Sequence, residues 1–483
     1  MAKLLPVALL VAATVAPASG QTLDHVIITC DSFASLYAPL SSFIERTLGL
    51  NDTVVLVADI CATRPGRDDA ERIRNFIKQA YSEWGTTHVL MGGDIDIVPC
   101  RRAWVDARHV HPLLYDSIPA DLYYADLDGD WDLDQDNLFG EPEDSVDLYP
   151  DLFVSRVPAS DSAALALFVD KFLTYVENPD AEYLDEVLLS GFDVFEGIYG
   201  ETTMELYDSL YILPEYKPCN KEYDSDPGLH MLDVIRELNQ GQHIWVHIDH
   251  CNWWGMGMGY MNHGEVMYNN QLRALTNSGK YTIMTSLGCC TGEFDTSMCA
   301  SESFILAPNG GGLATATNSR YGLGSDGNPQ RGMSYVLVEG FVSGLFRDPD
   351  ENSLEAIADA WTRAVPLADT NLAYRWCIFC WNLLGEAAMP VWVPSGTGMA
   401  EESTKYKGPR TSQTVVRGAL MYRPTANSSQ RSAGLVDITG RKVVTLRPGA
   451  NDIRHLVPGV YFLAERSAVS GKLTAVSRVV IQN

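Results

Sequence analysis

Two segments of this 483-residue chain carry side chains able to do covalent chemistry, and each lies just beyond an apolar, β-like run. HIWVHIDHCN at 243–252 delivers His250 to a polar turn, and YTIMTSLGCCTGEFD at 281–295 delivers Cys289. A thiol beside an imidazole is the minimum apparatus for a cysteine nucleophile. The ring takes the proton, the thiolate attacks, and the ring later protonates the leaving group. In an open α/β sheet such groups gather where parallel strands end, so neighbouring strands would bring the two together. The gap of 39 positions (289 − 250) leaves room for one crossover helix and its loops. A buried, inert core cysteine is the competing reading. The Gly-flanked bend at 288–295 argues against it, because it would present an exposed thiol of low pKa.

The elements that must position this pair are legible as a β/α alternation. Strand-like runs lie near 25–30, 53–58, 88–92, 152–157, 186–191, 243–248, 282–287 and 312–317, with helix-like segments near 34–48, 68–84, 162–177 and 229–239. Short β runs alternating with helices predict a doubly wound, mostly parallel α/β sheet. An internal boundary near 158–185 divides an N-terminal α/β subdomain (21–157) from a catalytic one (158–395). After Trp392 the composition changes. Residues 396–410 read as a polar linker, and 411–483 as short β runs with turns at Pro448-Gly449 and Pro458-Gly459, the pattern of a small all-β sandwich.

Composition fits an exported enzyme. The first twenty residues, with one Lys, an apolar run from Leu4 to Val15 and small residues before Gly20, read as a secretory signal peptide. No other run is long enough to span a bilayer, so no transmembrane helix is expected in the mature form. With 35 Lys+Arg against 62 Asp+Glu the net charge is −27, which argues against nucleic acid or an anionic membrane as partner and favours bound cations.

The ten cysteines are scattered and do not form a compact disulfide framework. Cys377 and Cys380 have CxxC spacing but no second pair to complete a zinc site, so they read as core. His247, His250 and Cys251 have ligand-like chemistry, yet strand alternation sets His247 and His250 on opposite faces. The acidic run is the better metal candidate. Asp126, Asp128, Asp130, Asp132, Asp134 and Asp136 alternate through a turn at Gly129, with Glu141 beyond, and hard oxygens at alternating loop positions suit a structural Ca²⁺. A solvated acidic loop is the alternative.

The bend at Cys289 closely resembles the cysteine signature of the gingipain family of caspase-like peptidases, Cys-x-x-Gly/Ala-x-Phe-(Asp). Counting back five from Phe294 sets the family's nucleophile on Cys289 and leaves Cys290 as its neighbour. The family's strand-end motif Asn-x-x-Gly/Ala-His-Gly falls on His250. ADLYYADLDGDWDLDQDNLFGE at 120–141 and DLFVSRVPAS at 151–160 resemble further family segments, as do GGLATATNSRYG at 311–322 and NLLGEAAMPVW at 382–392. The likeness covers roughly 85–395. It implies a caspase-like fold in two subdomains and calcium on the acidic loop. The family has Gly after the histidine, whose N–H helps hold the oxyanion; here Cys251 stands there, with Asp249 before the histidine. The backbone N–H groups of Cys289 and Cys251 are the expected oxyanion donors. Asp193, at a strand end in LLSGFD, is the nominee for orienting His250. Trp253, Trp254 and the 318–324 loop are candidates for bordering the substrate pocket.

Residues 411–483, with LVDITGRKVVTL and GVYFL, resemble the C-terminal domains recognised by type IX secretion, so the secretion machinery is an expected partner beside a protein or peptide substrate. Together these readings describe a secreted or cell-surface cysteine endopeptidase working through a thioacyl-enzyme. The alternative is a catalytically silent, calcium-stabilised surface protein or adhesin that kept the fold.

Overall fold

The computed structural model describes residues 22–196, 199–324, 332–346, 353–368 and 371–392, and strand segments between 414 and 481. The expected signal peptide (1–20) and linker (396–410) lie outside the described residues. The chain divides into two compact units, Met1–Tyr406 and Lys407–Asn483.

The first unit is built on β1 (His25–Thr29), β2 (Asp52–Leu56), β3 (His88–Met91), β4 (Arg101–Asp106), β5 (Tyr115–Ala120), β6 (Phe153–Arg156), β7 (Val187–Gly191) and β8 (Asn220–Tyr223). It continues with β9 (Ile244–Ile248), β10 (Cys251–Asn252), β11 (Gly255–Gly257), β12 (Val266–Tyr268), β13 (Thr282–Ser286), β14 (Gly312–Asn318) and β15 (Trp381–Leu384). Ten of them form one sheet in the order β2-β1-β3-β6-β15-β14-β13-β9-β7-β8. The strands before residue 157 make one parallel block and those from β7 to β14 another. β15 joins them, antiparallel to β14 and meeting β6 at the single pair Leu384–Arg156. The sheet is thus mostly parallel, as the alternation predicts, and falls into two blocks.

The central strands are buried along their whole length because helices cover both faces. β9 (IWVHI), β13 (TIMTS) and β14 (GLATATN) are buried at every position. Trp245 is fully buried and gives its indole N–H to Ser190 Oγ at 2.7 Å, so its area, worth ~2–3 kcal/mol, is covered without stranding a donor. The helix Ser162–Glu177 starts where Asp161 accepts from the N–H groups of Ala163 and Ala164, and Asp68 caps the helix Asp69–Gln79 in the same way.

The segments 120–141 and 151–160 converge on the seam between the blocks. The buried Arg156 guanidinium grips Asp121 at 2.7 and 2.8 Å and donates to the carbonyls of Gly93 and Val98. Asp121 in turn donates its own N–H to Asn382 Oδ1 at 2.9 Å, within β15. Cys377 and Cys380 lie buried in the helix Leu372–Cys380, Cys377 accepting from Ser334 Oγ, as a core role requires. The second unit is all-β: a five-stranded sheet containing Gly459–Ser467 and Leu473–Ile481, and a two-stranded one. Among the described residues no helix is long and apolar enough to cross a membrane.

Candidate active site

β9 and β13 are adjacent and parallel, with Ser286 paired to His247. Three residues beyond each paired position the chain leaves the sheet, at His250 on one strand and Cys289 on the other. Both are partly exposed, while everything beneath them in the strands is buried.

The cysteine loop is held by main-chain bonds that leave little freedom. Cys290 N–H donates to Arg320 O at 2.7 Å, Gly292 N–H to Asn318 O, and Asn318 Nδ2 to the carbonyls of Leu287 and Gly288. Cys290 sits at φ 53°, a left-handed conformation that reverses the chain directly after Cys289. Phe294 packs on the Arg156 guanidinium at 5.2 Å, and Asp295 is paired with Arg320 and Arg102, so the loop is anchored to the seam. Cys289 Sγ donates to Gly322 O at 3.5 Å. Burial pushes its thiol up, and the Gly322 and Cys289 main chains pull the other way. The expected exposed, low-pKa thiol is therefore corrected: at rest this group is a half-buried thiol that needs a base.

His250 Nε2 lies 2.6 Å from Val194 O. A carbonyl only accepts, so Nε2 carries the proton and Nδ1 keeps the lone pair of a neutral ring. The tautomer that can take a proton from a thiol is selected by main chain. Asp193, expected to do the orienting, has its carboxylate on Asn262 Nδ2 at 3.2 Å; its neighbour's carbonyl does the work instead. A main-chain partner leaves no trace in residue type. Phe195 meets the ring edge-on at 5.1 Å and Tyr260 at 6.0 Å, two aromatics the sequence reading passed over.

Asp249, in the position of a small residue, closes a turn. Its carboxylate accepts from the N–H groups of His250, Gly259 and Tyr260. Burial lifts it to about 7, with those three bonds opposing. The His250 N–H is thereby used. Gly257 N–H bonds His250 O, which makes 250–257 a bonded pair of the β10–β11 hairpin; by alternation Cys251, opposite Met256, points its N–H away from β11. The Cys251 side chain fills the space over Gly288, where a methyl would come within 2.1 Å of its sulfur. Burial holds that thiol at about 12, so it is inert.

His247 is fully buried, donating from Nε2 to Gly257 O at 2.8 Å and meeting Ser286 Oγ at Nδ1 at 2.8 Å. Both ring nitrogens are occupied, and burial drops the ring to about 4. Its Nδ1 lies 4.0 Å from Cys251 Sγ, but His250 turns to Val194 and the three form no metal set. Trp253 and Trp254 are exposed at the tip of the β10–β11 hairpin, and Tyr321 is exposed beside Gly322.

The acidic loop is more divided than its alternation suggests. The carboxylates of Asp132, Asp134 and Asp136 converge to within 4.8 Å, and the Glu141 carboxyl is lifted to about 7 by burial and by Asp136, Glu143, Asp134 and Asp144. Asp126 instead accepts from Leu148 N–H and Asp130 from Asp132 N–H, while the Asp128 carbonyl takes Arg74. Of the seven expected ligands, those three stand apart from the converging carboxylates.

The fold has relatives among known proteins. Residues resembling Lys-gingipain of Porphyromonas gingivalis are 26% identical over 184 positions, 36% of this chain and 9% of that protein's length. Among solved structures, the Arg-specific cysteine proteinase gingipain R superposes with a TM-score of 0.57 at 17% identity, over 97% of this chain and 100% of that one. The complex of the pro- and mature domains of Porphyromonas gingivalis RgpB gives 0.56 at 16%, over 95% and 100%. At such identities the superpositions speak for the fold. The model of peptidase family C25 matches residues 18–392, and the chain belongs to that family.

Proposed function

We propose that the chain is an exported cysteine endopeptidase in which Cys289 attacks the peptide carbonyl and His250 is the general base. The observation that carries this reading is the shared offset of 39 residues in the β9–β13 register and between the two side chains. His250 Nδ1 accepts the thiol proton; the thiolate adds to the carbonyl carbon, and the N–H groups of Cys289 and Cys251 receive the oxyanion. The imidazolium then protonates the leaving amine, and water enters by the reverse path. Membership of family C25 implies a protein substrate; cleavage within chains, and the preferred side chain, belong to the proposal.

Calcium is proposed for the acidic loop at a narrower set than its spacing suggests. Asp132, Asp134 and Asp136, with Glu141 alongside, supply the hard oxygens such an ion takes; Arg67 offsets the charge of Asp132 alone, and the raised Glu141 carboxyl supports the fit. Export through residues 1–20 and a C-terminal address for type IX secretion in 411–483 complete the reading, with catalysis confined to the unit ending at Tyr406.

The deciding experiment incubates the mature protein with a thiol-reactive peptidyl electrophile. Labelling should be lost in Cys289→Ala and kept in Cys290→Ala, with peptide hydrolysis falling by ~10⁴-fold or more in the first. Unlabelled, folded wild-type protein would favour the silent surface protein.

A further inference from the structure

Asp224, His230 and His263 come from three separate stretches: the turn after β8, the first residue of the helix His230–Gln240, and the loop between β11 and β12. One ligand atom from each lies within 4.8 Å of the other two. The His230 ring is fully buried and packs edge-on to the His263 ring at 4.5 Å. His263 Nδ1 is 2.9 Å from Asp224 Oδ1.

The hydrogen bonding around His230 is lopsided. Nδ1 lies 2.5 Å from Glu222 Oε1, an acceptor, so that nitrogen carries the proton. Nε2 is buried and has no hydrogen-bond partner. It faces the His263 ring and Asp224 Oδ1, which is buried and makes no aligned hydrogen bond of its own, so two buried acceptors are left unsatisfied side by side. Buried lone pairs left in that state cost free energy that a shared cation removes.

We propose that Asp224, His230 and His263 form a metal site that takes a zinc-type divalent ion. Two imidazoles and one carboxylate are a borderline-soft N₂O set, which suits Zn²⁺ and poorly suits Ca²⁺ with its need for six or more oxygens. Glu222 on the far nitrogen of His230 supplies the outer carboxylate that fixes tautomer and ring plane at such centres. Zinc–ligand bonds of ~2.1 Å set tetrahedral ligand atoms ~3.4 Å apart. The Asp224–His263 distance is already shorter than this, so closing the site requires rotation of the partly exposed His263 ring rather than movement of the strand. Gly259 makes the approach possible: a methyl there would meet His263 Nδ1 at 2.9 Å, Asp224 Oδ1 at 3.1 Å and His230 Cδ2 at 3.1 Å. With three protein ligands the fourth position is left to water.

The ion would brace the Gly259–Gly264 turn, already closed by His263 and Gly264 N–H bonds to Gly259 O. Gly259 and Tyr260 also hold the Asp249 carboxylate, so the site adjoins the turn that carries His250 without sharing a ligand with it.

The test uses full-length mature protein carrying Cys289→Ala, stripped with chelator and titrated with Zn²⁺ by calorimetry, and with Co²⁺ as a spectroscopic probe. One equivalent should bind, the cobalt spectrum should lack thiolate charge-transfer bands, and the melting temperature should rise with zinc. His263→Ala, at a partly exposed position that tolerates truncation, should weaken zinc binding by at least ~10-fold, the scale of losing a ligand or its outer partner. Glu222→Gln should weaken it less and keep the fold, and His109→Ala, at an exposed histidine in the turn between β4 and β5, should change nothing. Zinc binding equal to wild type in His263→Ala, a thiolate signature in the cobalt spectrum, or melting indifferent to zinc would each overturn the site. None of these readouts depends on peptidase activity.

Discussion

His250 and Cys289 each stand three residues past a register pair, His247 with Ser286, so their separation along the chain equals the offset between two adjacent parallel strands. Parallel strands end on one side of a sheet, and a shared offset means that both side chains leave it at the same height. The spacing between the proposed nucleophile and base is therefore set by the crossover that returns the chain from β9 to β13.

Gly288 and Cys251 should behave as one unit. A methyl at 288 would meet Cys251 Sγ at 2.1 Å and its Cβ at 2.5 Å, and rotating the thiol relieves only the first contact. Gly288→Ala alone should cost ~2 kcal/mol and disturb the loop that presents Cys289. Adding Cys251→Gly should restore most of that loss. A double-mutant cycle by chemical denaturation should show coupling above ~1 kcal/mol; simple additivity would mean that the two do not compete for space.

The two histidines of β9 and its turn should separate by assay. His250→Ala should remove the limb of the pH–rate profile belonging to the general base while leaving the melting temperature near wild type. His247→Gln should do the opposite, lowering stability through its bonds to Gly257 O and Ser286 Oγ but leaving the profile's shape intact. A flattened profile in folded His247→Gln protein would reverse the assignment.

Acid should weaken the fold through buried neutral imidazoles. His243 is fully buried between Leu184 O and the Tyr175 hydroxyl, and burial lowers it to about 4. With a folded value below the unfolded ~6.5, the native state binds fewer protons between those limits. The neutral ring's advantage is complete above 6.5 and is lost as pH falls toward 4, amounting to about 2 kcal/mol by pH 5. The fall in urea-unfolding free energy from pH 7.5 to pH 5 should be smaller by that amount in His243→Gln than in wild type. Buried Asp249 and Glu302, lifted to about 7 and about 8, push the other way, so it is the difference between variant and wild type that carries the result.

Calcium should stabilise the fold by ~2.7 kcal/mol at one hundred times Kd, so that the melting temperature rises with the logarithm of its concentration. Asp134→Asn and Asp136→Asn should each blunt the effect, because their carboxylates converge with Asp132. Asp126→Asn should leave it intact, since Asp126 is committed to Leu148. A melting curve indifferent to both calcium and chelator would remove the ion from the loop.

Much of the sheet was readable because buried central strands are rich in β-branched and apolar residues: the expected strands near 25–30, 88–92, 243–248 and 282–287 are β1, β3, β9 and β13 to within a residue or two. β8 (NKEY) is half polar and short, and β15 (WNLL) follows its helix without a break, so neither has a period of its own. The same limit applies to side-chain partners. A carbonyl such as that of Val194 has no residue type, and Asp224, His230 and His263 share no local pattern, being neighbours only once β8 and the β11–β12 loop are in place. Aspartates that alternate along the chain still part company when the backbone turns, as Asp126 and Asp132 do.

β15 also imposes an order of events. By Asn318 every other strand of the sheet has been made, yet the two blocks have no shared edge until residues 381–384 arrive between β6 and β14. A chain interrupted before that point would hold two half-sheets, each with a bare strand edge able to capture the same edge on another copy. Only when β15 is in place do those two edges face each other instead of another chain.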